Sequence, residues 1–237
     1  MTSRLYRSTR PLYRLVERTI GELGIRTMGT PTMAVLIAMY VTGLILLDAR
    51  PTQTRVARML PGRCHDALNR LLRTMPFSTR ALMGSLIGWV RRRGQSGHLV
   101  LDDVIIEKAY ARRLPWAGWT YAWSKKRKVY GMHMVMLMWC SDDGQWRIPV
   151  AFRLWRPKRS CAPHDYRTRL QLADAMIVDV IAAGVPADYL LFDTFYTAGW
   201  LTKKLRRLGC RELPRRKRGS HRKWHNPTTG DSGQETL

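Results

Sequence analysis

Apolar positions follow two different rhythms along the chain. In the first third they recur every three to four residues. Leu12, Leu15, Val16, Ile20 and Leu23 predict a helix over 12–28. Residues 1–12 carry three arginines and a proline and read as a mobile arm. Met33 to Leu47 is apolar and uncharged for 15 residues. That is short of the roughly 20 needed to span a bilayer, so it predicts a buried core helix. Residues 52–60 and 63–73, separated by Pro61-Gly62, predict two short helices around a tight turn. Residues 78–93 predict a further amphipathic helix with Ser78 as its N-cap.

After Gly94-Gln95-Ser96-Gly97 the rhythm changes. Short runs rich in Leu, Val and Ile predict strands at His98–Glu107, Tyr130–Cys140, Trp146–Trp155 and Tyr189–Thr194. Asp142-Asp143-Gly144 turns the second of these into the third. A helix is predicted over 165–184, ended by Gly184, and another over 197–208. The order strand, strand, strand, helix, strand, helix implies an antiparallel start and a crossover to a parallel strand. Three regions follow: a helical domain over 1–94, a mixed α+β domain over 97–209, and a basic tail over 210–237 that carries no predicted strand and reads as disordered.

Charge narrows the class of partner. The formal net charge is +24, from 41 Lys and Arg against 17 Asp and Glu. Such self-repulsion is best tolerated beside a polyanion, so nucleic acid leads and a membrane is not expected. A solvated basic surface of the ribosome-associated kind is the alternative. The four cysteines are scattered, with no Cys-x-x-Cys pair, which argues against a disulfide framework or a zinc ribbon and for a reducing, cytoplasmic setting, nucleoid-associated if the partner is DNA. The 52–74 segment reads either as a DNA-binding helix-turn-helix or as a plain helical hairpin with a solvated basic face. In the first reading Arg63, His65, Asn69 and Arg70 face DNA, while Leu68, Leu71 and Leu72 point inward. Residues 110–128 interleave Trp116, Trp119 and Trp123 with Lys125, Lys126, Arg127 and Lys128. This suits phosphate contact combined with stacking, the alternative being a hairpin whose tryptophans pack on the sheet.

Two strands end in acid: Leu101-Asp102-Asp103 and Phe192-Asp193. Carboxylates inside apolar strands are costly unless a cation neutralises them. Two strands delivering them to one end of a sheet suggest a divalent-metal site. The competing roles are an arginine partner for Asp103 and a helix N-cap for Asp193.

The words LDDVIIEK (101–108), SKKRKVYG (124–131), IPVAFRLWRP (148–157) and LLFDTFYTAGWL (190–201) together resemble the DDE transposases of bacterial insertion sequences, which have a ribonuclease H-like fold. The resemblance runs over about residues 35–209. It implies an α+β, ribonuclease H-like mixed sheet behind an all-helical N-terminal domain, and metal-dependent cleavage and strand transfer of DNA phosphodiesters with Mg²⁺ or Mn²⁺. Its partner is double-stranded DNA at the element's terminal repeats, with a homo-oligomer left open. The first acid of the family falls on Asp103, where Val104 replaces the family's Thr, and the second falls on Asp193. The third, a glutamate on a late helix, has no match: Glu212 and Glu235 lie outside any predicted helix. The expectation is therefore a truncated transposase with impaired cleavage, through a frameshift near Cys210 for example. The alternative is a non-catalytic, transposase-derived DNA-binding protein that inhibits transposition.

Overall fold

The structure is a computed structural model that describes residues 2–23, 31–47, 52–59, 65–74, 78–110, 114, 116–209, 211–214, 221–225 and 232–236. The chain divides into two compact units, Met1–Trp89 and Val90–Leu237.

The first unit is helical. Its elements are α1 (Thr2–Glu22), α2 (Pro31–Leu46), α3 (Gln53–Met59), α4 (His65–Thr74) and α5 (Thr79–Arg93), with the unit boundary falling inside α5. The segment expected to be a mobile arm is instead the first half of α1, and Pro11 lies inside that helix. Val16 and Ile20 of α1 pack against Ala38 of α2, with Leu12, Leu23, Ile37 and Val41 around them. The apolar α2 lies against α1, α3 and α4. A Cβ on Gly43 would stand 2.5 Å from the Val56 side chain, so this glycine permits the close approach of α2 and α3. No helix among the described residues is long and apolar enough to cross a membrane. Leu68 and Leu71 of α4 are buried as their spacing predicts, whereas Leu72, expected inside, is 40% exposed. Ser78 caps α5 as expected, its Oγ accepting the Ala81 N–H at 3.2 Å.

The second unit is a mixed sheet with helices: β1 (Gly97–Glu107), β2 (Ala117–Ala122), β3 (Arg127–Ser141), β4 (Arg147–Trp155), α6 (Arg169–Ala182), β5 (Tyr189–Phe192), α7 (Gly199–Arg207), β6 (Arg211–Pro214), β7 (His221–His225) and β8 (Ser232–Thr236). The sheet runs β2-β3-β1-β5-β6, and β4 also pairs with β3. β1, β2 and β4 each run antiparallel to β3, while β5 runs parallel to β1 and β6 parallel to β5. This is the expected α+β architecture, with its first strands antiparallel and its crossover strands parallel.

Alternation along β3 explains the layering. Val129, Gly131, His133, Val135, Leu137 and Trp139 are buried, and every residue between them is partly open. The buried face carries Leu99 and Leu101 of β1 and Leu190 and Phe192 of β5. α6 packs against β3 and β4, with Ala173, Met176, Ile177 and Val180 as its buried residues. Trp139 is fully buried, and its Nε1 donates to the Pro186 carbonyl at 2.7 Å. Gly131 lies opposite Glu107, and a Cβ there would stand 2.4 Å from the Ile106 carbonyl oxygen. Gly131→Ala is therefore expected to cost about 2 kcal/mol, read as a fall in the denaturant midpoint.

The tail departs from expectation. β6 extends the sheet beyond β5, and β7 pairs with β8 as a separate two-stranded sheet. A four-residue parallel edge strand is specified by backbone pairing to its neighbour, and its sequence is too short to show a period.

Candidate active site

The carboxylates gather in a cleft of about 520 Å³ lined by Asp102, Asp103, Glu107, Lys125, Arg169 and Asp193, among others. Each is placed by backbone. In β1 neighbouring residues point to opposite faces, so Asp103 follows Leu101 onto the helix-covered face and Asp102 takes the other. Leu101 pairs with Phe192 in the parallel β1–β5 register, and both are buried. Asp102 follows Leu101 within β1, whereas Asp193 lies just past the end of β5, and both line the cleft.

Asp103 is engaged by two neighbours. His133 Nε2, from β3, hydrogen-bonds its Oδ2. Arg169, the first residue of α6, donates to the same oxygen at 2.6 Å. Arg169 also stacks on the Phe195 ring, 3.9 Å from its centre. A capping box fixes that end of α6: Thr168 Oγ1 accepts the Gln171 N–H at 3.2 Å and Gln171 Oε1 accepts the Thr168 N–H at 2.9 Å. Burial acts to raise the Asp103 carboxyl, but the hydrogen bonds and charges of His133 and Arg169 outweigh it and hold it below the usual aspartate range.

Asp102 and Asp193 are exposed, and each uses one oxygen locally. Asp102 Oδ1 accepts the Asp103 N–H at 2.8 Å. Asp193 Oδ1 accepts the backbone and hydroxyl protons of Thr194, capping the short 3₁₀ turn Thr194–Tyr196. Both competing structural roles are thus present: Asp103 has an arginine partner and Asp193 caps a turn. Among the described residues no hydrogen bond reaches the Oδ2 atoms of Asp102 and Asp193. Such an open pair fits a hard divalent cation that keeps most of its own waters, as Mg²⁺ does. Among the described residues no group of three His, Cys, Asp or Glu side chains is arranged to enclose a metal ion.

Beneath the acids lies Tyr196, fully buried, with a hydroxyl that has no hydrogen-bond partner among the described residues. Burial raises its pKa above the usual phenol range; the charges of Asp103, Asp102 and Asp193 add to this and Arg169 opposes it. An orphaned buried hydroxyl costs roughly 1–3 kcal/mol. Tyr196→Phe is accordingly expected to raise the melting temperature by several degrees, measured calorimetrically.

Of the cationic residues read from sequence, Lys125 and Arg127 pair with Glu107, Arg127 at 3.2 Å. Those pairs draw Glu107 below its ordinary range, the Lys125 hydrogen bond contributing most. Lys126 and Lys128 are exposed. In the first unit, His65 and Arg70 are exposed and Asn69 half-buried on α4, and His65 sits 3.1 Å from Asp66. Arg63 and the Pro61-Gly62 turn lie outside the described residues. Glu212 falls in β6, not on a helix. Sequence reasoning passed over His133, Arg169 and Tyr196. His133 was findable, because it shares the buried parity of Val135, Leu137 and Trp139 on β3.

Carboxylates from the middle of β1 and from just past the end of β5 thus share one cleft. The DDE superfamily endonuclease family model matches residues 26–229, and the chain belongs to that family. No curated protein matches the chain. Among solved structures, a chain of the Drosophila P element transposase strand transfer complex is similar at 11% identity and a TM-score of 0.26, over 81% of this chain and 42% of that one. This chain spans less than half of that relative's length.

Proposed function

We propose that the chain acts on DNA as a transposase of the insertion-sequence type, with Asp102 and Asp193 as the carboxylates that hold a divalent cation, Mg²⁺ or Mn²⁺. The observation that carries this reading is that the Asp102 and Asp193 carboxylates line one cleft, each with one oxygen that no hydrogen bond among the described residues reaches, in a chain of the DDE endonuclease family. A divalent cation there would supply a polarised phosphoryl group and an activated water for in-line attack. The chain's own residues set the stage. His133 and Arg169 pin Asp103, which fixes the β1 backbone that carries Asp102. The Thr194 N–H and hydroxyl orient Asp193. Lys125 lines the cleft, and the exposed Lys126, Arg127 and Lys128 that follow it in the chain offer cationic contacts for the phosphate backbone. His65, Asn69, Arg70 and Arg63 in the helical unit are proposed to contact the duplex at the element's ends.

A second reading is a DNA-binding protein of transposase origin that does not cleave. It is favoured by the fact that, among the described residues, no three His, Cys, Asp or Glu side chains are arranged to hold a metal ion. Nicking of supercoiled DNA carrying the element ends, with Mn²⁺, separates the two. Metal-dependent nicks support the enzyme, and salt-sensitive binding without nicks supports the binding module.

A further inference from the structure

The edge strand β2 and the turn after it expose aromatic rings in a row. Trp119 is 61% exposed and Trp123 82%, and Tyr121 is exposed between them. Large rings are left in water at a functional surface more often than elsewhere. Here they are also ordered. Trp119 pairs across the ladder with Tyr130 and Tyr121 with Lys128, so these four side chains share one sheet face. Trp119 meets Tyr130 edge-to-face with centroids 5.6 Å apart, and Tyr121 meets Trp123 in the same way at 4.8 Å. Edge-to-face contacts hold one ring by its rim and leave a broad face free.

That sheet face is the one that carries Asp102. Tyr130 and Met136 have the same parity on β3, and Met136 lies opposite Asp102. Six residues along β3 set the row roughly 20 Å from the acid. Tyr121 and Trp123 line the same cleft as Asp102 and Asp193. Trp119 and Tyr121, two residues apart, stand roughly 7 Å apart along the strand. Stacked bases of a duplex repeat at about 3.4 Å, so rings at twice that interval match bases that have come apart. The neighbouring charge suits the same occupant: Lys125, Lys126, Arg127 and Lys128 follow the row directly in a chain of net charge +24.

We infer that Trp119, Tyr121 and Trp123 form a stacking platform for unpaired nucleotides of the DNA strand that enters the acidic cleft. The inference rests on the DNA reading above and narrows it: the strand in the cleft is locally single-stranded. Aromatic faces accept any base, so the platform selects for strand separation and not for sequence.

The test uses the full chain, with a labelled oligothymidine and a duplex of the same length, followed by fluorescence anisotropy without metal. The Trp119→Ala and Trp123→Ala proteins are each expected to bind oligothymidine about tenfold more weakly and the duplex within about twofold. Trp119→Phe should recover most of the loss. Lys128→Ala should weaken both ligands and lower the salt slope by about 0.7 on the single strand. These residues are exposed, so the melting temperature should stay at the wild-type value. Wild-type affinity for oligothymidine in both tryptophan variants, or an equal loss for oligothymidine and duplex, overturns the platform and leaves the transposase reading standing. A wild-type chain that binds neither ligand overturns both.

Discussion

Asp193→Asn is expected to leave the protein folded, with an unchanged melting temperature, and to lower Mn²⁺-dependent nicking at least about a hundredfold. The substitution separates two roles of one side chain. As a cap for Thr194–Tyr196, asparagine is as good as aspartate, because its carbonyl oxygen can accept the Thr194 N–H. As a ligand it lacks the negative charge a hard cation requires. Loss of activity with retained stability therefore identifies the carboxylate as a ligand. Asp102→Asn is expected to behave in the same way, since Asp102 is exposed and its one hydrogen bond is to its own neighbour's N–H. A drop in melting temperature that accounts for the lost nicking would instead mark Asp193 as a cap alone.

The second large effect concerns stability. Asp103→Ala removes the partner of His133, which is nearly buried, and of the Arg169 guanidinium. Leaving cationic or polar groups without their carboxylate in a site of low solvent access is expected to cost about 3 kcal/mol, or about 10 °C in melting temperature for a unit of this size. His133→Ala should approach the same loss, and the double variant should fall well short of the sum of the two, because both changes break one contact. The pH dependence has a defined sign. Folding lowers the Asp103 pKa, so its contribution is complete above the ordinary aspartate range and is lost as pH falls through that range towards the lowered native value. Asp103→Asn should flatten the acid limb of the stability curve. Urea denaturation between neutral and acidic pH reads both results.

Much of this was legible from residues. The acid-ended strands stood out because Leu, Val and Ile run up to Asp102-Asp103 and Asp193 without interruption, and the structure pairs those strands side by side. Which of the two neighbouring aspartates is open was not legible. It depends on β1 parity relative to a helix, and on Arg169, 66 positions away from Asp103. The start of α6 shifted for a local reason: Asp165 resembles an N-cap, but Pro163–Asp165 closes its own 3₁₀ turn and Thr168 caps the helix with Gln171. β2 was hidden because its six residues include glycine and alanine and lie in an Arg- and Trp-rich stretch, while its strand character comes from pairing to β3. β6 was hidden in the same way. α1 runs through Pro11, where a proline reads as a helix breaker.

The central claim is that Asp102 and Asp193, and not Asp103, hold the cation. Titration of the full chain with Mn²⁺, followed by the loss of free-ion signal in electron paramagnetic resonance, tests it most directly. The account predicts binding by the wild-type and Asp103→Asn proteins and its loss in both Asp102→Asn and Asp193→Asn. Binding that survives in Asp102→Asn and disappears in Asp103→Asn would contradict it.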